Sequence, residues 1–321
     1  MSRECGLSAA CTRLHLFGGT TVKLKLTRRT GELLLAAVII TRSTSLLLSK
    51  LGLADMGPFT LMALRFSTAS ILLLALFWRR LRAAGKGDLM RGAAIGAAFF
   101  AVLTSELFGL RHTSTSTASF LENTSVVLVP LLLAVAARKL PGAVTLISAL
   151  LSLTGVGLLT LRPGAGIGAG ELLCMLTALL YAGAIILTDR LSHKGGDTLA
   201  MGIAQVCTIA VLAFMAAFIF EAPMQIPARV QDWGIILGLA VVCTGFGFTL
   251  QPVAQSATTA ERSAMFCALN PLSASILGVV FLDEELGVLG VTGAALILCG
   301  ILLPNVPEAR KSAAKAATHG T

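Results

Sequence analysis

Four ionisable side chains stand where the chain is otherwise apolar. Arg42, Arg65, Glu106 and Glu122 each fall inside a stretch of about 20 mostly hydrophobic residues, the length a helix needs to cross a bilayer. In hydrocarbon such a group costs about 2.5–3.5 kcal/mol on insertion scales, so it usually faces a cavity or a partner. Arg42 and Arg65 could hold an anionic group, such as a carboxylate, through charge-assisted hydrogen bonds. Glu106 or Glu122 could take up a proton or a cationic amine. Plainer readings stand beside these. Arg65 and Glu122 lie at matching depth, about 10 Å from one face at helical rise, and could form a structural bridge that tethers two helices. Glu106 lies nearer that face, about 6 Å in. Arg42 could snorkel toward an interface, although its place near mid-span makes that awkward.

The second half of the chain offers amides instead: Gln205, Gln251, Gln255 and Asn270, together with Tyr181, the one tyrosine. Amides can hydrogen-bond a zwitterion without fixing its sign, or serve as glue between helices. The candidate substrate-binding set is therefore Arg42, Arg65, Tyr181, Gln205, Gln251 and Asn270. The candidate proton-coupling pair is Glu106 and Glu122. Glu261-Arg262, Glu284 and Glu285 read as compensation of helix dipoles. No catalytic set, cofactor or metal is expected, because the acids are dispersed, the four histidines are scattered, and no C-x-x-C or P-loop occurs. Cys174, Cys207, Cys243, Cys267 and Cys299 sit singly in apolar stretches and read as small buried hydrophobes.

The elements that must position these groups follow from composition. The chain has 321 residues, 55% of them hydrophobic and 13% charged, with a mean hydropathy of +0.86. A soluble globule carries roughly 25% charged residues, so this outer surface must face a lipid bilayer. Soluble enzyme, nucleic-acid binder and disordered protein are excluded as first readings. Ten spans are expected, at 33–52, 58–78, 92–110, 115–136, 142–161, 171–188, 199–220, 233–251, 260–282 and 286–304. With the N-terminus inside, 19 Lys and Arg fall on inner segments and 4 on outer ones. That bias follows the positive-inside rule and accounts for the net charge of +9 without a nucleic-acid partner. Both termini are expected in the cytoplasm. Residues 1–31 read as a cytoplasmic tail rather than a cleaved signal peptide, and 305–321 as a second tail.

The spans repeat. Gly31-Glu32-Leu33-Leu34 is echoed by Gly170-Glu171-Leu172-Leu173, Arg65-Phe-Ser-Thr68 by Gln205-Val-Cys-Thr208, and Arg91-Gly92 with Gly96 by Trp233-Gly234 with Gly238. Ala118-Ser-Phe120 is echoed by Ala264-Met-Phe266, and the end of the fifth span by the end of the tenth. Five matches in order mark two copies, 32–161 and 171–304, joined by an outer linker at 162–170. Five is odd, so the second copy must enter the membrane from the opposite side. The loop before the fifth span reads Arg138-Lys139-Leu140, while that before the tenth reads Asp283-Glu284-Glu285. This reversal of sign suits loops on opposite faces. The stripes Gly92-xxx-Gly96 and Gly234-xxx-Gly238 permit close helix packing within the chain, with a homodimer as the alternative. Pro130, Pro252 and Pro271 could kink spans 4, 8 and 9.

These residues resemble the drug/metabolite transporter superfamily, in its ten-helix bacterial branch of two EamA-type repeats. The first repeat carries the likeness in Pro58-Phe-Thr-Leu-Met-Ala-Leu-Arg65, Thr113–Phe120 and Val129-Pro130. The second carries it in Gln255–Ala264, Asn270-Pro271, Leu282-Asp-Glu284-Glu-Leu and Gly293–Gly300. The resemblance implies an all-α integral membrane protein of the cell (inner) membrane, with two inverted five-helix repeats. It also implies a carrier of a small molecule, usually outward, by alternating access between the repeats. An amino-acid-like metabolite or a drug is the expected cargo, and proton coupling would fall to Glu106 or Glu122. Uptake or exchange by the same fold is the alternative, and a membrane-embedded transferase a remote one. The family usually has Trp-Gly in the first span where this chain has Arg42-Ser43 or nearby residues. The loop before the fifth span lacks the acid that the second repeat keeps at Glu284.

Overall fold

The computed structural model describes residues 11–15, 21–25, 27–138, 141–160, 168–223, 226–227, 229–273 and 288–303. Two short strands, β1 (Cys11–His15) and β2 (Thr21–Lys25), form an antiparallel hairpin ahead of the first helix. The tail expected at 1–31 thus contains regular structure. The helices that follow are α1 (Arg28–Gly52), α2 (Pro58–Ala83), α3 (Lys86–His112), α4 (Thr115–Asn123), α5 (Ser125–Ala137) and α6 (Ala143–Thr160). The second half holds α7 (Ala169–Ser192), α8 (Thr198–Phe220), α9 (Val230–Gly238), a π-helix (Leu239–Phe248), α10 (Thr249–Gln255), α11 (Ala260–Cys267) and α12 (Val288–Leu302).

Local chemistry sets where these helices begin. Oxygens of Thr27, Ser114, Asp197 and Thr259 accept backbone N–H groups at the starts of α1, α4, α8 and α11, filling donors that a helix leaves open. Pro58 opens α2, where its missing N–H costs nothing. Arg138 adopts a left-handed conformation (φ 51°) and ends α5.

The result is an all-helical, multi-pass membrane fold. Among the described residues, seven helical runs are long and apolar enough to cross a bilayer, and two apolar helices, Ala143–Leu158 and Val288–Leu302, are shorter. Ten full spans are therefore not met by length. Part of the difference is that the expected ninth span, 260–282, runs beyond residue 273 and out of the described residues. The expected fourth span breaks at Thr124 between α4 and α5 and the expected eighth contains the π-helix, yet both still count among the seven. Glu284, Glu285 and most of the 162–170 linker also lie outside the described residues.

Large apolar side chains such as Leu33, Ile71, Leu76, Leu172, Phe214 and Phe218 point outward, as a lipid-facing surface requires. Inside, α2 packs on α8, α3 lies against α7 and α8, and α6 pairs with α12. Gly92 and Gly96 lie directly against the backbone of Met201 and Gln205 in α8, so this small-residue stripe is spent within the chain. Its sequence counterpart is not used in the same way. Gly234 has no neighbour for a methyl group within 4 Å, and Gly238 meets only Leu48.

Candidate functional site

Part of the expected site converges around one ring. Phe248, at the end of the π-helix, is fully buried and meets Phe66 of α2 and Phe99 of α3 edge-on, with centroids 5.4 and 5.5 Å apart. The guanidinium carbon of Arg42 lies 4.1 Å from its centroid, and that of Arg65 lies 5.8 Å away. Two cations thus sit within about 10 Å of each other, close enough to repel in a medium of low dielectric. Arg42 does not snorkel to an interface. Its Nη1 donates to Gln251 Oε1 at 3.0 Å, and the Tyr181 ring centroid is 5.9 Å from its guanidinium carbon. Aromatic faces attract cations, so Phe248 and Tyr181 favour the inward pose.

Arg65 is 3% exposed, and its Nε donates to Thr244 Oγ1 at 2.6 Å. The plainer alternative, an Arg65–Glu122 bridge, does not form: among the described residues, no ion pair joins the two. Glu106 and Glu122 are both buried, and both lie within electrostatic reach of Arg42. Arg65 is in reach of Glu106. No ion pair or hydrogen bond joins either acid to a described side chain. Two donors also lack partners there, Arg42 Nε and Arg65 Nη2. The centre of the bundle therefore holds two positive and two negative groups with open hydrogen-bonding capacity between them.

The remaining candidates divide. Tyr181 belongs to the cluster, with its ring edge-on to Phe99 at 6.0 Å and its hydroxyl 3.4 Å from Cys267 Sγ. Gln251 belongs too, but as the anchor of Arg42. Gln205 is fully buried where α8 meets α3, and neither atom of its amide has a hydrogen-bond partner. Asn270 is half-buried with an unpartnered Oδ1, and no described contact ties it to the four charges. Sequence reasoning missed Thr244 and Phe248, a small polar residue and an aromatic among many of each. A π-helix is a common companion of function, but no sequence signal announced this one.

Sequence reasoning also missed a second charged contact. Arg262, read as part of a dipole-compensating pair, reaches Glu32 at 3.2 Å and donates to the carbonyl of Ile301 at 2.9 Å. Two surface cavities lie elsewhere. One of about 350 Å³ adjoins Gly57, Thr60, Arg111 and Glu221, and one of about 480 Å³ adjoins Phe120, Leu153, Leu158 and Leu289. Neither is lined by a residue of the charged cluster, so buried charge rather than a surface hollow marks the candidate site. Among the described residues, no group of three or more His, Cys, Asp or Glu could hold a metal ion.

Known proteins place this arrangement. The chain is 26% identical over 285 residues to an uncharacterized transporter of Archaeoglobus fulgidus, covering 86% of this chain and 98% of that protein. It is 27% identical over 302 residues to the uncharacterized transporter YetK of Bacillus subtilis, covering 89% and 90%. A crystal structure of another protein, 18% identical, superposes with a TM-score of 0.73 over 89% of this chain and 99% of that one, which establishes a shared fold. Family and relatives point to a transporter rather than an enzyme. The sequence signature of the EamA-like transporter family matches residues 29–161 and 168–306, and the chain belongs to that family of membrane transporters.

Proposed function

We propose that the protein is a secondary-active exporter of a small amphipathic metabolite, amino-acid-like in charge, or of a drug, working by alternating access. The observation that carries this reading is the pairing of half-buried Arg42 and buried Arg65 at Phe248 with the buried acids Glu106 and Glu122 in electrostatic reach of Arg42, with unpartnered donors and no contact ion pair among the four. Arg42 and Arg65 would take an acidic group. Glu106 or Glu122 would take an amine, or a proton when the amine leaves. Tyr181 and Phe248 supply flat apolar walls, and Gln251 holds Arg42 in place. Gln205 and Asn270 stay in the candidate binding set through their unpartnered amide atoms.

The architecture that suits this cycle is ten membrane passages in two inverted repeats, 32–161 and 171–304, joined at 162–170, with tails 1–31 and 305–321 in the cytoplasm. The twofold family match and the charge bias of the loops support it. Reporter fusions should place both ends on the cytoplasmic side of the cell membrane. For function, purified protein is screened for thermal stabilisation by amino acids, nucleotides and cationic dyes, since a ligand that binds the folded state raises its apparent stability. A hit is then followed as flux in proteoliposomes with and without a pH gradient. A zwitterion that stabilises the native chain but not Arg65→Leu, and whose efflux follows the gradient, meets the expectation. Inward flux of the hit under the same gradient would favour uptake or exchange instead.

A further inference from the structure

The two ends of the bundle are closed by different chemistry. At the end where α1 begins and α12 finishes, Arg262 ties three helices. Its Nε lies 3.2 Å from Glu32 Oε1, its Nη2 3.2 Å from Glu32 Oε2, and its Nη1 donates to the Ile301 carbonyl at 2.9 Å. Arg262 is 5% exposed. Nearby, Asp189 at the end of α7 lies within electrostatic reach of Glu261 on α11 and 3.6 Å from His193 Nδ1. Gly31 sits so close to Ala257 that a methyl group would collide with it. Every residue of α11 except Glu261 is buried.

The opposite end is looser. Lys50 donates to the carbonyls of Leu110 and Thr113 at 2.6 and 2.9 Å, and Glu171 accepts from Thr113 Oγ1 and the Gly168 N–H. All of these partners are neutral. In α4, Thr115, Thr117, Phe120 and Leu121 are half-exposed. The structure is sealed at the Arg262 end by a largely buried ion pair, and held at the Lys50 end by hydrogen bonds and an exposed Arg229–Asp55 pair at 3.8 Å.

We infer that the Glu32–Arg262 pair, with the Ile301 carbonyl, is the latch that keeps one mouth of the carrier shut, and that α11 must release Glu32 for that mouth to open. A buried pair gains little net free energy, because desolvation offsets its attraction. Opening would return both charges to water. Such a contact is specific in geometry yet reversible, as a gate needs. The inference rests on the carrier reading above, since only alternating access requires this end to open.

Cys267 offers a native reporter, being 6% exposed on α11 and directed at Tyr181. A membrane-impermeant maleimide is applied to the full chain in vesicles of each orientation, and modification of Cys267 is read by mass spectrometry. From the Arg262 end, Glu32→Gln and Arg262→Gln should speed modification about tenfold, a shift of about 1.4 kcal/mol in the closed state. The charge-swapped double variant Glu32→Arg/Arg262→Glu should return toward the native rate. Unchanged modification in both single variants overturns the latch.

Should the variants fail to fold, hydrogen exchange on the native chain decides. Amides of residues 29–33 and 259–263 should open as one unit, and independent opening of the two segments overturns the inference. Flux is measured in parallel. Native flux with unaltered Cys267 labelling in the variants removes the latch and leaves the carrier reading standing. Absence of flux for every solute in the native chain removes the carrier reading itself.

Discussion

Residues that occupy like places in the two halves of the chain do different chemistry. Counting 139 residues on from Glu32, Arg42 and Lys50 gives Glu171, Tyr181 and Asp189, and 140 on from Arg65 gives Gln205. At the centre, the first half brings both cations, half-buried Arg42 and buried Arg65, and both buried acids, Glu106 and Glu122. The second half answers with Tyr181, Thr244, Phe248 and Gln251, which brace the two guanidinium groups. A duplicated framework has thus been divided into a half that carries charge and a half that aims it. Even the ends follow this division. Lys50 reaches for carbonyls, whereas Asp189 lies 3.6 Å from His193 Nδ1, so the sign of the end group reverses between the halves.

The sharpest way to break this comparison is to remove charge from one half and polarity from the other at matching positions. Arg65→Leu should lower flux of a bound substrate about 30- to 100-fold, because a hydrogen bond from a charged group contributes about 1.5–3 kcal/mol. The measurement is initial flux in proteoliposomes at equal protein incorporation. A loss below threefold would show that the charge of the first half is structural and that substrate is held elsewhere.

The glycine stripes test the same division in packing. Gly96→Ala should destabilise by about 1–3 kcal/mol, because the added methyl meets the backbone of Gln205 with no room to relax. Gly238→Ala should be neutral or stabilising by up to about 1 kcal/mol, since alanine favours the helix and only Leu48 lies near. Thermal unfolding in detergent compares the two. Equal losses would mean that the two stripes do the same work despite their different surroundings.

Sequence showed the membrane class, the family and the four buried charges, because hydropathy, spacing and ionisable type are all local properties of the chain. It did not show which charges would meet. Helical rise gives the depth of Arg65 and Glu122 but not the direction in which each faces around the bundle. An Arg65–Glu122 bridge therefore stood open as an alternative, whereas Arg65 in fact holds Thr244. The π-helix at Leu239–Phe248, against which α1 and α2 pack, was equally hidden, since no residue signature announces it. Arg262 was read by its place in a helical turn, and its partners Glu32 and Ile301 lie 230 and 39 residues away in sequence.

Gln205 sharpens the comparison from the neutral side. Its amide is fully buried with no partner on either atom, and a buried polar group left unpaired costs about 1–3 kcal/mol. Gln205→Leu should therefore raise the stability of the substrate-free protein by about 1 kcal/mol, read as a higher unfolding temperature. A fall in flux accompanying that gain would mark the amide as a substrate contact. A stability loss instead would mean that the amide already has a partner in the bilayer, such as a bound water.

The smallest effect is expected at Tyr181, the counterpart of Arg42. Its ring faces the Arg42 guanidinium and is held edge-on by Phe99, while its hydroxyl meets a sulfur at 3.4 Å. Sulfur is a weak hydrogen-bond partner, so Tyr181→Phe removes little and should change flux less than about threefold, within about 0.6 kcal/mol. Tyr181→Leu also deletes the aromatic face, which is worth about 0.5–2 kcal/mol to a nearby cation, and should cost more than Tyr181→Phe. That order follows if the second half acts by aiming the arginine. If Tyr181→Phe alone abolished flux, the hydroxyl itself would have to touch the substrate, and the division between a charged half and a bracing half would fail at its most symmetric position.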